Sequence, residues 1–579
     1  MRIAIPGPFD SLRSLGEGFA KDPLFAVAVA FLAAPVLAQP SRTTHTRPVP
    51  PAMVTDAATG IDVLDYDLDL TLAPPTRMLE GKATITLRRT AATSAVHLDL
   101  VGLAVTSVAV RGQPQPVRAD STGATVALGA GGRDTIEVAV AWRGSPADGL
   151  IIRTDTRAGW TAFGDNWPNR ARQWFPSVDH PSDKATVSFT VRVPTSYVVV
   201  ANGTLRDRTE VDGPTATATT NVWRFRETHP IPTYLMVIGV AAFSHVPLGE
   251  TACGFGEAGG CVSQGILVEP ASKGSMPGPF AAAGGMVRFY ASLFGRFPYA
   301  QLLHVQSATR FGGMENAGAI FYAWDMFQAP RSVSEGTIAH ETAHQWFGDA
   351  VTERAWAHVW LSEGFADYLM AMWMEHAHGD SARKAVLADF RRVIMGSAAS
   401  RDRPVIDTTQ GDLLGLLNTN SYQKGAHVLH MLRREVGDSA FVRGLRAYQL
   451  KFRHGTALTD DLRAAVEAEH GAPLGWFFDQ WLRKPGWAEL DIAWQVRDGR
   501  LVLDVGQSAR FGAYRLTLPV RVTMEDGTVV DQLVALPASA VRTTVTGPAL
   551  PGGASVRGVQ VDPDGDLLAA IALRRGGPA

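Results

Sequence analysis

The stretch TIAHETAHQWFGDAVTERAWAHVWLSEGFADYL, Thr337 to Leu369, decides how the rest of the chain is read. It opens on H-E-x-x-H at His340–His344, and its flanks predict a helix: Ser334 can cap it, Ile338, Ala339, Ala343, Trp346 and Phe347 supply apolar surface, and Gly348 can stop it. Histidines four residues apart share one helical face, so both imidazoles can reach a single zinc, with Glu341 beside it as general base toward water. The competing reading is a helix with two surface histidines. Against it stands Glu363, reached after eighteen intervening residues in WLSEGFADYL, where Ser362 is expected to cap a second helix and place Glu363 in its first turn. Three protein ligands and one open position describe a catalytic zinc site rather than a structural one, with one Zn2+ per chain. His376 and His378 close an amphipathic helix beside Gly379 and read as solvated, not as ligands.

Outward from this stretch the periodicity changes twice. From about 280 to 482 it is helical, in TIAHETAHQWF, GFADYLMAMWMEHA and KGAHVLHMLRREV. Upstream, Leu64, Tyr66, Leu68, Leu70 and Leu72 alternate with polar residues, and ATITL (83–87), TVALG (125–129), TVSFTVRV (186–193) and YVVVANGTL (197–205) continue the pattern, so the block 59–245 is read as antiparallel β. Downstream, Leu516, Leu518, Val520 and Val522 face one way ahead of an EDGT turn, and 487–579 is read as a small β-sandwich-like domain. The expected fold is α+β and multidomain.

The totals exclude whole classes. The 579 residues suit three or four domains, and 54 basic against 56 acidic residues give no field that would gather nucleic acid. Two cysteines are too few for a disulfide scaffold. Leu24–Ala34 is an apolar run of 11 residues, short for a bilayer span and suited to a secretory signal, with Val36-Leu37-Ala38 offering a cleavage point after Ala38. Residues 1–38 are therefore read as a signal peptide and 39–58 as a linker; the product is exported and, once cleaved, has no stable membrane insertion. Export would permit Cys253 and Cys261 to pair across TACGFGEAGGC.

H-E-x-x-H, eighteen residues and a glutamate in L-x-E-G-F-A, together with G-G-M-E-N at 312–316, resembles the zinc gluzincin aminopeptidases related to membrane alanyl aminopeptidase and leukotriene hydrolase. RQWFPSVDHPSDKA (172–185), SYQKGAHVLHMLR (421–433) and FFDQWLRKPG (477–486) extend the likeness over about 59–486. The resemblance implies a thermolysin-like, mainly α catalytic domain at 246–486. It also implies that Glu315 binds the free amino terminus of a peptide, that Gly312, Gly313, Met314 and Asn316 carry the first peptide unit as an added strand, and that Tyr422 steadies the tetrahedral intermediate. Two positions depart from the family. Trp167 stands where a second amine-binding acid or amide is usual, with Asp165 or Asn166 as replacements; Met370 stands where an acid usually orients a zinc histidine, with Asp367, one turn after Glu363, as its substitute.

The function expected is a zinc aminopeptidase acting on peptides with a free N-terminus. The alternatives are an endopeptidase or epoxide hydrolase on the same scaffold, and a peptide-binding protein without catalysis. The ninety-odd residues after 486 are too few for a large helical domain, so an open site that accepts longer peptides is expected.

Overall fold

Alternation makes Ile61–Leu72 a strand with Tyr66, Leu68, Leu70 and Leu72 buried, yet Leu64 does not join them. A bulge between Val63 and Asp65 shifts the phase, so Val63 takes the buried position and Leu64 lies half out. The computed structural model describes residues 60–579 apart from 156–157, 213–218, 253–260, 276–277, 328–332, 540, 552–554 and 577–579. The signal, linker and Cys253 readings fall outside the described residues.

Ile61–Leu72 lies inside an eight-stranded sheet between Leu79–Arg89 and Lys184–Pro194. The pairing with Lys184–Pro194 is parallel, an exception to the antiparallel expectation. A four-stranded sheet carries Leu150–Asp155, Gly159–Gly164, Val198–Ala201 and Ile238–Ala241. The stretch 197–205 is not one strand. Val198–Ala201 belongs to the four-stranded sheet and Thr204–Asp212 to the eight-stranded one, with Asn202-Gly203 turning the chain between them. Gly203 has φ +78°, and a Cβ there would stand 2.1 Å from the Arg226 carbonyl oxygen, so only glycine fits. The Asn202 amide holds the corner, donating to the carbonyls of Leu235 and Ala317 and accepting from Val237 N–H.

Ser244 opens a second region. Its five-stranded sheet runs Ser244–Thr251, Val262–Val268, Gln301–Ser307, Ala319–Ala323 and Gly313–Met314, so the short Gly313–Met314 strand is an edge. Against it pack helices α1 (Ala283–Phe294) and α2 (Glu335–His344), and on these and on one another pack α3 (Trp360–His378), α4 (Asp380–Gly396), α5 (Gly425–Val436) and α6 (Asp438–Phe452). The packing is aromatic: Trp346, Trp356, Trp360, Tyr290 and Tyr368 are all fully buried. From Ala488 the chain forms a sandwich of four strands (Thr543–Ala549, Arg500–Gln507, Ala488–Arg497, Ala569–Arg575) and three (Val529–Leu536, Leu516–Met524, Val556–Val561), with Leu516, Leu518, Val520 and Val522 turned inward. Cys261 is disulfide-bonded.

Candidate metal centre

Helix α2 starts where its cap residue places it, the Ser334 hydroxyl accepting from the Thr337 N–H at 3.0 Å. One turn of helix then brings the two imidazoles together, with His340 Nε2 and His344 Nε2 3.0 Å apart. Glu363 arrives from the first turn of α3, its Oε2 3.4 Å from His340 Nε2 and 3.3 Å from His344 Nε2. These three edges are close to the roughly 3.4 Å that separates neighbouring ligands on a tetrahedron with zinc bonds of about 2.1 Å. The donor set, two imidazoles and a carboxylate, is that of a hydrolytic zinc, and the residues present fit the ion.

Each ligand is itself oriented. His340 Nδ1 stands 2.9 Å from Asp367 Oδ1, a contact that leaves the proton on Nδ1 and a lone pair on Nε2. His344 Nδ1 faces the Phe347 carbonyl at 3.2 Å and the Ser362 hydroxyl at 3.0 Å. That contact corrects the reading of Ser362. Helix α3 begins two residues earlier, at Trp360, because the preceding tight turn lets the Val359 carbonyl accept from Ser362 and Glu363 N–H; no side-chain cap is needed, and the serine turns to the histidine instead. Gly348, φ +120°, is equally constrained, since a Cβ there would meet Ser362 Oγ at 2.3 Å and His344 Nδ1 at 2.9 Å.

Burial pushes the Glu341 carboxyl up to about 7, although both imidazoles pull it down. Burial works on Glu363 in the same sense, but His344 and the hydrogen bonds from both histidines overcome it and hold Glu363 at about 2. Without metal the histidines carry that balancing positive charge; a divalent cation supplies it in their place and leaves them neutral.

The substrate side adjoins this corner. Glu315 and Glu341 bring carboxylate oxygens within 4.8 Å of a His344 nitrogen. Gly313 presses on the base: a Cβ there would sit 1.9 Å from Glu341 Oε1. Met314 is buried, Gly312 is exposed, and the Asn316 side chain is fully buried with neither its amide nitrogen nor its oxygen bonded to another group among the described residues. Tyr422 lies in the π-helical turn Asn420–Lys424 at the head of α5, its ring parallel to that of His340 with centroids 6.1 Å apart. Burial, then the nearby charges of Glu363 and Glu315, raise its phenol well above the usual value, so it remains an O–H donor.

Two substitutions proposed for the Trp167 position fail. The Asp165 carboxylate is fully buried and taken by Thr309, Arg310 and Arg170, and Asn166 is spent on the carbonyls of Thr233 and Met236 and on the Trp174 indole. Trp167 packs instead against Phe311 and Trp356. Sequence reasoning passed over Gln345, whose amide donates to the Glu315 carbonyl at 2.9 Å and accepts from Gly318 N–H at 2.8 Å; its place beside His344 was the available signal. His376 and His378 are exposed and take no part in a metal cluster among the described residues; His376 stacks on Phe289 and His378 meets Glu335.

The pattern described as the Peptidase family M1 domain matches residues 281–481, and that of the Peptidase M1 N-terminal domain matches 63–235. The chain belongs to the M1 family of peptidases. It is 30% identical over 416 residues to Tricorn protease-interacting factor F2 of Thermoplasma acidophilum, covering 69% of this chain and 50% of that protein. It is 27% identical over 469 residues to Leucyl aminopeptidase of Saccharolobus solfataricus, covering 76% of this chain and 56% of the relative. The chain thus spans about half the length of these curated relatives. The M1 zinc metallopeptidase of Deinococcus radiodurans has a similar structure, with TM-score 0.63, 29% identity and coverage of 73% of this chain and 93% of that one. A mutant of that enzyme has been solved bound to a Tyr-Ser-Ala substrate, with TM-score 0.62, 29% identity and coverage of 71% and 92%.

Proposed function

We propose that this M1 chain is a zinc-dependent aminopeptidase that removes residues from peptides with a free N-terminus. The observation that carries the reading is the convergence of His340 Nε2, His344 Nε2 and Glu363 Oε2 within 3.4 Å of one another, with Glu341 and Glu315 at the same corner.

A zinc ion bound there supplies a Lewis acid that polarises the scissile carbonyl and makes water more acidic. The chain's own residues do the rest. Glu315 receives the substrate ammonium in a charge-assisted bond and so fixes the cut one residue from the chain end. The peptide lies along the free edge of Gly313–Met314 as an added strand, with the Asn316 amide as a polar partner. Glu341, with Gly313 leaving room for its carboxylate, accepts the proton of the attacking water and returns it to the leaving amine, and burial raises its carboxyl in the sense a general base needs. The Tyr422 hydroxyl donates to the oxygen on which negative charge develops. An endopeptidase has no use for a buried carboxylate at the position of Glu315.

The test is a peptide against its N-acetylated form. Cleavage of the free peptide at least a hundredfold faster supports the reading, whereas equal rates remove Glu315 from it. Export with loss of residues 1–38 belongs to the same proposal, supported by the Leu24–Ala34 run and the disulfide at Cys261. A mature N-terminus at Gln39 is the expected result of sequencing the secreted product. We also propose an open site that admits longer peptides, for which a steep loss of rate beyond tripeptides would be the contrary finding.

A further inference from the structure

Between the last strands of the two sandwich sheets the chain reads Asp562-Pro563-Asp564-Gly565-Asp566, which on sequence resembles a cation-binding loop. The structure gives its three carboxylates a different use. Asp562 organises the loop from within, accepting from Asp566 and Leu567 N–H, and stands 3.6 Å from Arg391 on α4. Asp564 reaches Lys384, also on α4, at 2.9 Å. Asp566, only 4% exposed, divides itself on α5: Oδ1 lies 2.8 Å from His430 Nε2 and Oδ2 lies 3.0 Å from Arg434 Nε. The next two residues extend the contact. Leu568 N–H points at Met431 Sδ, and the Ala569 carbonyl accepts from Arg391.

Helix α5 connects this grip to the active site. Its N-terminal end carries the Asn420–Lys424 turn and Tyr422. At Gly425 it crosses α3 at Gly364, the residue after the zinc ligand Glu363, and the two backbones touch: a Cβ added at Gly364 would stand 3.0 Å from Gly425 Cα. Two glycines in contact have no side chains to interlock, so this crossing does not by itself fix the tilt of the helix. Asn420 anchors the near end through the carbonyls of Ala399, Arg403 and Pro404. The far end, about 7 to 14 Å beyond that crossing at 1.5 Å per residue, is held by Asp566 together with Arg433, which bonds Glu375 on α3 and Asp438 on α6.

We propose that Asp566 is a positioning residue for Tyr422, acting through His430, Arg434 and the tilt of α5, so that the C-terminal sandwich sets the aim of the phenol in the active site. This rests on the aminopeptidase reading. It gives the sandwich a part in the reaction although none of its described residues belongs to the zinc corner.

The test uses the full chain loaded with zinc. Asp566→Asn lowers kcat about tenfold with KM within twofold and zinc content unchanged, Asp566→Glu restores at least half of kcat, and amide exchange across 420–430 quickens in the Asn variant. Arg434→Gln, on a half-exposed side chain that the fold tolerates losing, shows the same split more weakly. Asp531→Asn, in a surface pair of the sandwich, leaves kcat as in the wild type. The deciding arm is the double variant: in a Tyr422→Phe background, Asp566→Asn produces no further loss. An equal loss in both backgrounds, or unchanged kcat and exchange in the single variants, overturns the inference while wild-type turnover still supports the reading of the site. A zinc-loaded wild type without aminoacyl turnover overturns both.

Discussion

The zinc corner and the peptide edge share one cleft but are finished differently. At the corner both histidine ligands have a second partner inside the protein: His340 has Asp367, His344 has Phe347 and Ser362, and Asp367 is met in turn by Gln423. At the edge, Gly312 is exposed, Gly313–Met314 has a free side, and the buried Asn316 amide has no partner among the described residues. A buried polar group without a partner costs roughly 1–3 kcal/mol, which folding alone would not favour. The difference teaches that the metal half is preorganised by the fold, whereas the substrate half is left open; on the proposed function, a peptide strand supplies its missing bonds.

That contrast is open to attack in four places. The largest effect is expected from Glu341→Gln, which should retain zinc and lose about a thousandfold or more in kcat, measured with an aminoacyl chromogenic substrate. Gly313→Ala, on the edge, should cost about a hundredfold in kcat without loss of metal, because the new methyl displaces the Glu341 carboxylate. Metal loss in that variant would place Gly313 with the corner and erase the distinction. Tyr422→Phe should likewise lower kcat about a hundredfold and leave KM nearly unchanged, since the phenol acts on charge present only in the transition state. The smallest effect belongs to Asp367→Asn, which should weaken zinc binding about tenfold in a chelator competition and restore full kcat at saturating zinc.

The corner was legible in the sequence and the edge was not, for a physical reason. His340, Glu341, His344, Glu363 and Asp367 sit on two helices whose periodicity alone determines which residues share a face. Glu315 and Tyr422 belong to a sheet edge and a π-helical turn far apart along the chain, and only resemblance to a family drew attention to them. Local patterns failed where tertiary context intervened. Ser362 reads as a cap until the helix is seen to begin at Trp360, which puts the serine inside its first turn with its own N–H on the Val359 carbonyl. Leu64 reads as core until a bulge shifts the strand by one residue. Asp165 and Asn166 read as spare polar groups until Thr309, Arg310 and the carbonyls of Thr233 and Met236 occupy them.

The central claim is that one zinc, held by His340, His344 and Glu363, makes this chain a peptidase. Metal analysis of the purified chain alongside turnover before and after chelation tests it most directly. The account predicts one zinc per chain, loss of activity on chelation and recovery on adding zinc back. Full turnover by a chain stripped of metal would contradict it.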